Sequence, residues 1–183
     1  MRVIAGSAKG VRLAPVPPGV RPVSDMAREG LFSSLGEHVH GARVLDLFAG
    51  TGALGIEALS RGADGAVFVE RDRAAVRTIR ENLARTRLAD RAEVVRADAA
   101  AFVMGDDTSC APFELALADP PYRAPLAAVE RVLRGLSRGW LAGRWAVALT
   151  RRSGSSTPVI PVHWHVARRL EYGDTLVLIF QEA

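Results

Sequence analysis

The 183-residue sequence contains one cysteine, Cys110, and one lysine, Lys9. A lone thiol makes no internal disulfide, which agrees with a reducing compartment, and Cys110 reads as a buried bystander rather than a nucleophile. No apolar run approaches the ~20 residues of a membrane span. Met1 to Leu13 also lacks the apolar stretch of a signal peptide, so the expected location is the cytoplasm, with no membrane partner. His163 and His165 alternate in HWH without a cysteine or acid cluster beside them, and no metal site is expected. What remains is a chain that is 49% hydrophobic, enough for one buried core, with a formal net charge of +4 carried almost wholly by arginine. Guanidinium forks suit phosphate, so the balance favours an anionic partner.

From about residue 43, short apolar runs (VLDLF, AVFVE, EVVRA, ELALAD, WAVALT) alternate with helical patterns (ALGIEALSRG, RAAVRTIRENLAR, APLAAVERVLRGL). Such alternation predicts a doubly wound α/β domain with a mostly parallel sheet covered on both faces. The final stretch, HWHVARRLEYGDTLVLIFQ, differs. Its two extended runs around Tyr172-Gly173-Asp174 predict an antiparallel hairpin that closes the sheet. RSGSSTP ahead of it reads as a mobile loop. Residues 1–40 form a basic extension before a main domain at 41–183. In it, RVIAG and VRL flank a turn as a small hairpin, PVPPGVRP is an irregular connector, and Ser24 caps a helix from Asp25 to about Leu35.

Gly50, Gly52 and Gly55 make G-x-G-x-x-G between a predicted strand and helix, with Glu70 twenty residues beyond Gly50. Read literally, this is a dinucleotide fingerprint. Three further acids shift the reading. Asp46 lies inside the first strand, Asp98 ends the third and Asp119 ends the fourth, all at carboxyl ends or just before them, the edge where open α/β sheets bind ligands. A pyrophosphate would be repelled there, whereas S-adenosylmethionine brings a sulfonium and an ammonium. Asp46 then faces the ammonium, Glu70 the ribose hydroxyls and Asp98 the adenine amine. Each has a plainer reading. Asp98 is equally a helix cap, and Glu70 equally an ion-pair partner of Arg71 or Arg73.

Asp119 opens the sequence DPPY, in which two prolines remove backbone donors and stiffen the support for Asp119 and Tyr122. VLDLFAGTGALGIEALSRGA, FVERD and ADPPY resemble the cofactor and catalytic motifs of class I methyltransferases. With RVIAG, VRPVSD and REGLF at the front, the chain resembles the RsmD-type bacterial enzymes that methylate a guanine N2 in small-subunit ribosomal RNA. That resemblance implies a Rossmann-like, mostly parallel seven-stranded sheet with an antiparallel C-terminal strand and a small N-terminal hairpin. It implies S-adenosylmethionine held by Asp46, Phe48, Gly50, Gly52, Glu70, Asp98 and Asp119. Asp119 and the Pro120 carbonyl would orient the target amine and Tyr122 would stack on the base. Lys9, Arg12, Arg21, Ser24 and Arg28 would hold 16S rRNA, presented within the assembled 30S subunit to a monomeric enzyme. The fifth strand departs from the family pattern, ending in Thr150-Arg151-Arg152 where an acid is frequent.

Aspartate, as an acceptor-only group, matches the adjacent N1–H and N2–H donors of guanine. The alternatives are a DNA adenine-N6 or cytosine-N4 methyltransferase, which usually carries a target-recognition insertion, and a protein glutamine methyltransferase, which typically carries NPPY. A non-catalytic RNA-binding module is the third rival, and intact Asp46, Asp98 and DPPY stand against it.

Overall fold

The computed structural model describes residues 1–15 and 22–183. The elements in chain order are α1 (Asp25–Leu35), β1 (Arg43–Leu47), α2 (Ala53–Ser60), β2 (Gly65–Glu70), α3 (Arg73–Thr86), β3 (Ala92–Arg96), α4 (Ala99–Met104), β4 (Phe113–Ala118), α5 (Leu126–Leu136), β5 (Leu141–Arg152), β6 (Trp164–Tyr172) and β7 (Thr175–Glu182). Seven strands form one sheet in the order β3-β2-β1-β4-β5-β7-β6. β1 to β5 pair in parallel, and β7 runs antiparallel to both β5 and β6. The α/β alternation and the C-terminal hairpin are therefore as the sequence pattern predicts.

The central strands are apolar on both faces because helices cover both. Leu45 and Leu47 of β1, with Ala116 and Ala118 of β4, pack against α4 and α5 in one buried cluster. Val44, Leu115 and Leu117 point the other way, into a second cluster with Leu31, Phe32, Ile56 and Ile79 of α1, α2 and α3. Alternation places Asp46 on that second face, in line with Val44, and Asp119 in line with Leu117. Three helices start where the sequence offers a cap: the side chains of Ser24, Asp72 and Asp98 accept from the N–H of Ala27, Ala75 and Ala101.

The N-terminal residues form the expected hairpin, with the Val3 N–H donating to the Val11 carbonyl and the Leu13 N–H to the Met1 carbonyl around an Arg2–Arg12 bridge. The hairpin is not laid loosely on the surface. Val3, Ala8 and Leu13 are buried in the same cluster as α2 and the sheet. Glu57 of α2, fully buried, accepts from the N–H of Ile4 (2.8 Å) and Ala5 (3.0 Å). Ser60 adds two more bonds, donating to the Ala5 carbonyl (2.5 Å) and accepting from the Ala8 N–H (3.0 Å). Most of the connector PVPPGVRP, with Arg21, lies outside the described residues. No helix among those described is long and apolar enough to cross a membrane.

Candidate active site

The sheet order reverses direction between β1 and β4, and the two sequence motifs follow those two strands. This is the switch point at which open α/β sheets form their ligand crevice. The glycine loop leaves β1 and DPPY leaves β4. The backbone joins them directly, the Asp119 N–H donating to the Leu47 carbonyl at 3.3 Å.

Phe48 turns the chain out of β1 with φ 58°, a left-handed conformation rare for a bulky residue and an indication of a locally constrained site. The three glycines do different things. A Cβ at Gly50 would meet only the Phe48 carbonyl at 3.9 Å, so this backbone stays open to a ligand. At Gly52 it would press on Ile79 and Phe68 at 3.3 Å, and at Gly55 it would fall 2.4 Å from the Phe68 ring. Gly52, expected beside the cofactor, thus faces the core. Gly55 lets α2 close on the sheet and donates its N–H to Asp46 Oδ2 at 2.9 Å. Glu70 Oε2 accepts from the Gly50 N–H (2.9 Å), and its Oε1 from the Asp72 N–H (2.8 Å). Asn82 of α3, fully buried, donates to the Thr51 carbonyl (2.9 Å) and accepts from the Ala14 N–H (2.8 Å), tying the same loop to the N-terminal segment.

Asp46 is 1% exposed. Burial is the main cause that raises its carboxyl from 3.8 to about 8; Asp119 and Glu70 push it the same way and the Gly55 bond opposes them. Burial likewise raises Asp119 to about 6, against the lowering pull of the Thr150 hydroxyl. That hydroxyl donates to Asp119 Oδ1. It can do so because the last β4–β5 pair is Ala118 with Leu149, which brings the next residue of each strand side by side. The Tyr122 hydroxyl lies 3.4 Å from Thr175 Oγ1, the first residue of β7. Asp119 and Tyr122 are therefore each steadied by a threonine from a neighbouring strand. Pro120 between them is buried.

Three carboxylates crowded into one poorly hydrated edge repel one another and suit a positively charged ligand. S-adenosylmethionine meets that requirement and a pyrophosphate does not. Asp46, Glu70 and Asp119, with the open backbone at Gly50, are the residues that would hold it. Asp98 stands exposed at the end of β3 and caps α4 through Oδ1, 3.0 Å from the Ala101 nitrogen, which realises its plainer reading. Glu70 is held by backbone donors at both of its oxygens rather than by Arg71 or Arg73.

The predicted RNA arm is only partly as expected. Lys9 and Arg12 are exposed. Ser24 accepts the Ala27 N–H as a helix cap. Arg28 contradicts its assignment as a phosphate contact: it is 0% exposed, donates to Asp25 Oδ1 (2.6 Å) and to the Arg2 carbonyl (2.7 Å), and lies 3.9 Å from Glu57. It braces the arm from beneath. Cys110 is half-buried, and its thiol is pushed up by burial, away from nucleophilic use. Among the described residues no group of three or more His, Cys, Asp or Glu is arranged to hold a metal ion. Sequence reasoning missed Thr150, Thr175, Asn82 and Glu57. Only the polar Thr150 closing the apolar WAVALT offered a local signal.

The fold and the site define a class I methyltransferase that uses S-adenosylmethionine. A solved structure from Escherichia coli, described as a candidate methyltransferase, superposes with TM-score 0.86 at 37% identity over 100% of this chain and 97% of that one. The Escherichia coli protein named ribosomal RNA small subunit methyltransferase D is 38% identical over 99% of this chain and 89% of its own length, and the Haemophilus influenzae protein of the same name is 34% identical over 99% and 93%. The chain belongs to the family described as conserved hypothetical protein 95, whose model matches residues 1–181. The resemblance to RsmD-type enzymes drawn from the sequence is borne out.

Proposed function

We propose that this protein transfers a methyl group from S-adenosylmethionine to the exocyclic N2 of a guanine in 16S ribosomal RNA, acting in the cytoplasm as a monomer on the assembled small subunit. The observation that carries the reading is the shelf at the carboxyl edge: Asp119 held by Thr150, and Tyr122 held beside Thr175, one backbone bond away from the glycine loop. Full-length similarity to proteins named as small-subunit rRNA methyltransferases supports the choice of substrate.

When bound, the cofactor supplies an electrophilic methyl on a positively charged sulfur. An exocyclic amine is a weak nucleophile because its lone pair is delocalised into the ring, so the protein's task is to position it and stabilise developing charge on nitrogen. Asp119 and the Pro120 carbonyl accept hydrogen bonds from the amine, while Tyr122 stacks on the extruded base, an interaction worth about 1–3 kcal/mol. Asp46, Phe48, Gly50 and Glu70 form the cofactor side, to which Asp98 adds its second carboxylate oxygen while Oδ1 caps α4, and Lys9, Arg12, Arg21 and Ser24 form the RNA side. The crowded acids make cofactor affinity pH-dependent. In the free protein Asp46 keeps a proton that the unfolded chain has lost between about pH 4 and pH 8. Stability is then full below that window and falls as pH rises through it. A cationic ligand reverses the preference, so binding releases a proton and tightens as pH rises toward 8. Calorimetry in buffers of different ionisation enthalpy should detect that release at pH 6.5, and zero release would contradict it.

Since Asp119 acts ionised, kcat/KM should fall below about pH 6. Thr150→Val removes the hydrogen bond that lowers Asp119 and should move this limb upward in pH, whereas Thr150→Ser should leave it in place. A Thr150→Val profile that overlies the parent one would show that the hydroxyl does not tune the acid.

The decisive assay follows label from S-adenosylmethionine into unmethylated small subunits, protein-free rRNA and duplex DNA, with nucleoside analysis. N2-methylguanosine formed on small subunits is the expected product. Methyladenine, methylcytosine or labelled protein would replace the guanine-N2 assignment with the corresponding rival.

A further inference from the structure

α3 carries basic residues that local helix stability does not explain. Arg73, Arg77 and Arg80 follow one another at i+4 and i+3, with Arg87 a further seven positions on at the C-cap, so all four share one face. All are exposed. The helix contains a single acid, Glu81, and that carboxylate is taken by Arg85. Among the described residues the other four arginines have no carboxylate partner. Neighbouring like charges at these spacings disfavour the helix, and Arg73 sits in its first turn, where the macrodipole also opposes a cation. A merely solvated face ordinarily mixes both signs. Here one sign is kept along about 20 Å of helix.

The position of this stripe matters as much as its charge. Its first residue follows Glu70 and Asp72, whose backbone and side chain are tied to the glycine loop, so it begins at the active-site edge. Asn82, on the buried side of the same helix, is bonded to Ala14, which sets the hairpin strand bearing exposed Arg12 against α3. Resting on the reading that the substrate is RNA, we infer that Arg73, Arg77, Arg80 and Arg87 form a second docking surface for its phosphate backbone, continuous with the N-terminal arm and distinct from the base-binding shelf. The contacts are to phosphate. They position the RNA and add affinity without reading sequence.

The test is the salt dependence of RNA binding, measured by anisotropy on a small-subunit rRNA fragment with no turnover required. Each phosphate contact contributes about 0.7–0.9 to the slope of log affinity against log salt. Arg77→Ala with Arg80→Ala should therefore flatten the slope by about 1.4–1.8. With methyl transfer as readout, KM for RNA should rise about tenfold while kcat at saturation and cofactor affinity stay at the parent values. Alanine at both sites favours the helix, so misfolding is not the expected cause of a loss. Arg131→Ala with Arg134→Ala, on the exposed side of α5 across the sheet, is the control and should leave the slope unchanged. An unchanged slope in the α3 variant, or an equal loss in the control, overturns the inference. Because binding is read directly, this outcome is separate from a failure of methyl transfer, which would instead strike at the guanine-N2 reading.

Discussion

Replacing Glu57 with alanine is expected to cost about 3–5 kcal/mol of stability, the range for removing one partner of a buried ion pair. The reason lies in how many groups this one carboxylate serves. It accepts from Arg61 Nε at 2.7 Å and from the N–H of Ile4 and Ala5, and it is the one fully buried anion beside the buried Arg28 guanidinium, 3.9 Å away. Arg28 already has two nitrogens without a hydrogen-bond partner. With Glu57 gone, Arg28 would retain the Arg2 carbonyl and a single carboxylate, Asp25, which is half-exposed, and the two backbone donors would lose their acceptor. Denaturant unfolding gives the magnitude. The local consequence has its own readout, since Lys9 is the only lysine and a lysine-specific protease therefore reports on the hairpin alone. Faster cleavage at Lys9 together with the lost stability is the expected pair. A loss below about 1 kcal/mol, the worth of a surface pair, would show that water replaces Glu57.

The second large effect concerns chemistry rather than folding. Asp119→Asn is expected to lower kcat/KM by at least about a hundredfold, the scale of losing one transition-state hydrogen-bonding group. The substitution keeps size and shape, so its severity comes from orientation. Thr150 donates to Oδ1 of Asp119. In the variant the amide oxygen is drawn to that hydroxyl, which turns the NH2 group toward the base, donor against donor. Cofactor affinity should fall far less, because Asp46 and Glu70 remain. Activity within tenfold of the parent would mean that the Pro120 carbonyl alone positions the amine.

The parts of this molecule legible in the sequence are those encoded over short distances. Strand and helix alternation, the YGD hairpin, the Ser24 and Asp98 caps and the placement of Asp46, Glu70 and Asp119 on one edge all follow from periodicity and from spacing within single motifs. Arg28 was misread because an arginine on a short helix near a basic arm looks like a phosphate contact. Its burial is set by Glu57, twenty-nine positions away, and nothing local marks that partnership. Thr150 and Thr175 escaped for a related reason. Their value depends on register across β4, β5 and β7, and a threonine at a strand end looks the same whether its hydroxyl meets water or a reacting carboxylate. The glycine motif was legible as a loop, but the division of labour within it was not. Which glycine faces ligand and which faces Phe68 is decided by how α2 lies on the sheet.

The place of β7 in the sheet has a consequence for biosynthesis. Among the described residues it is the last strand in sequence but sits between β5 and β6, and β6 pairs with no other strand there. Until Thr175 to Glu182 have been translated, β6 stays unpaired and Tyr122 lacks its hydroxyl neighbour. The aromatic end of the catalytic shelf thus depends on a strand more than fifty residues further along the chain, because Tyr122 gains its hydroxyl neighbour only when β7 is seated between β5 and β6.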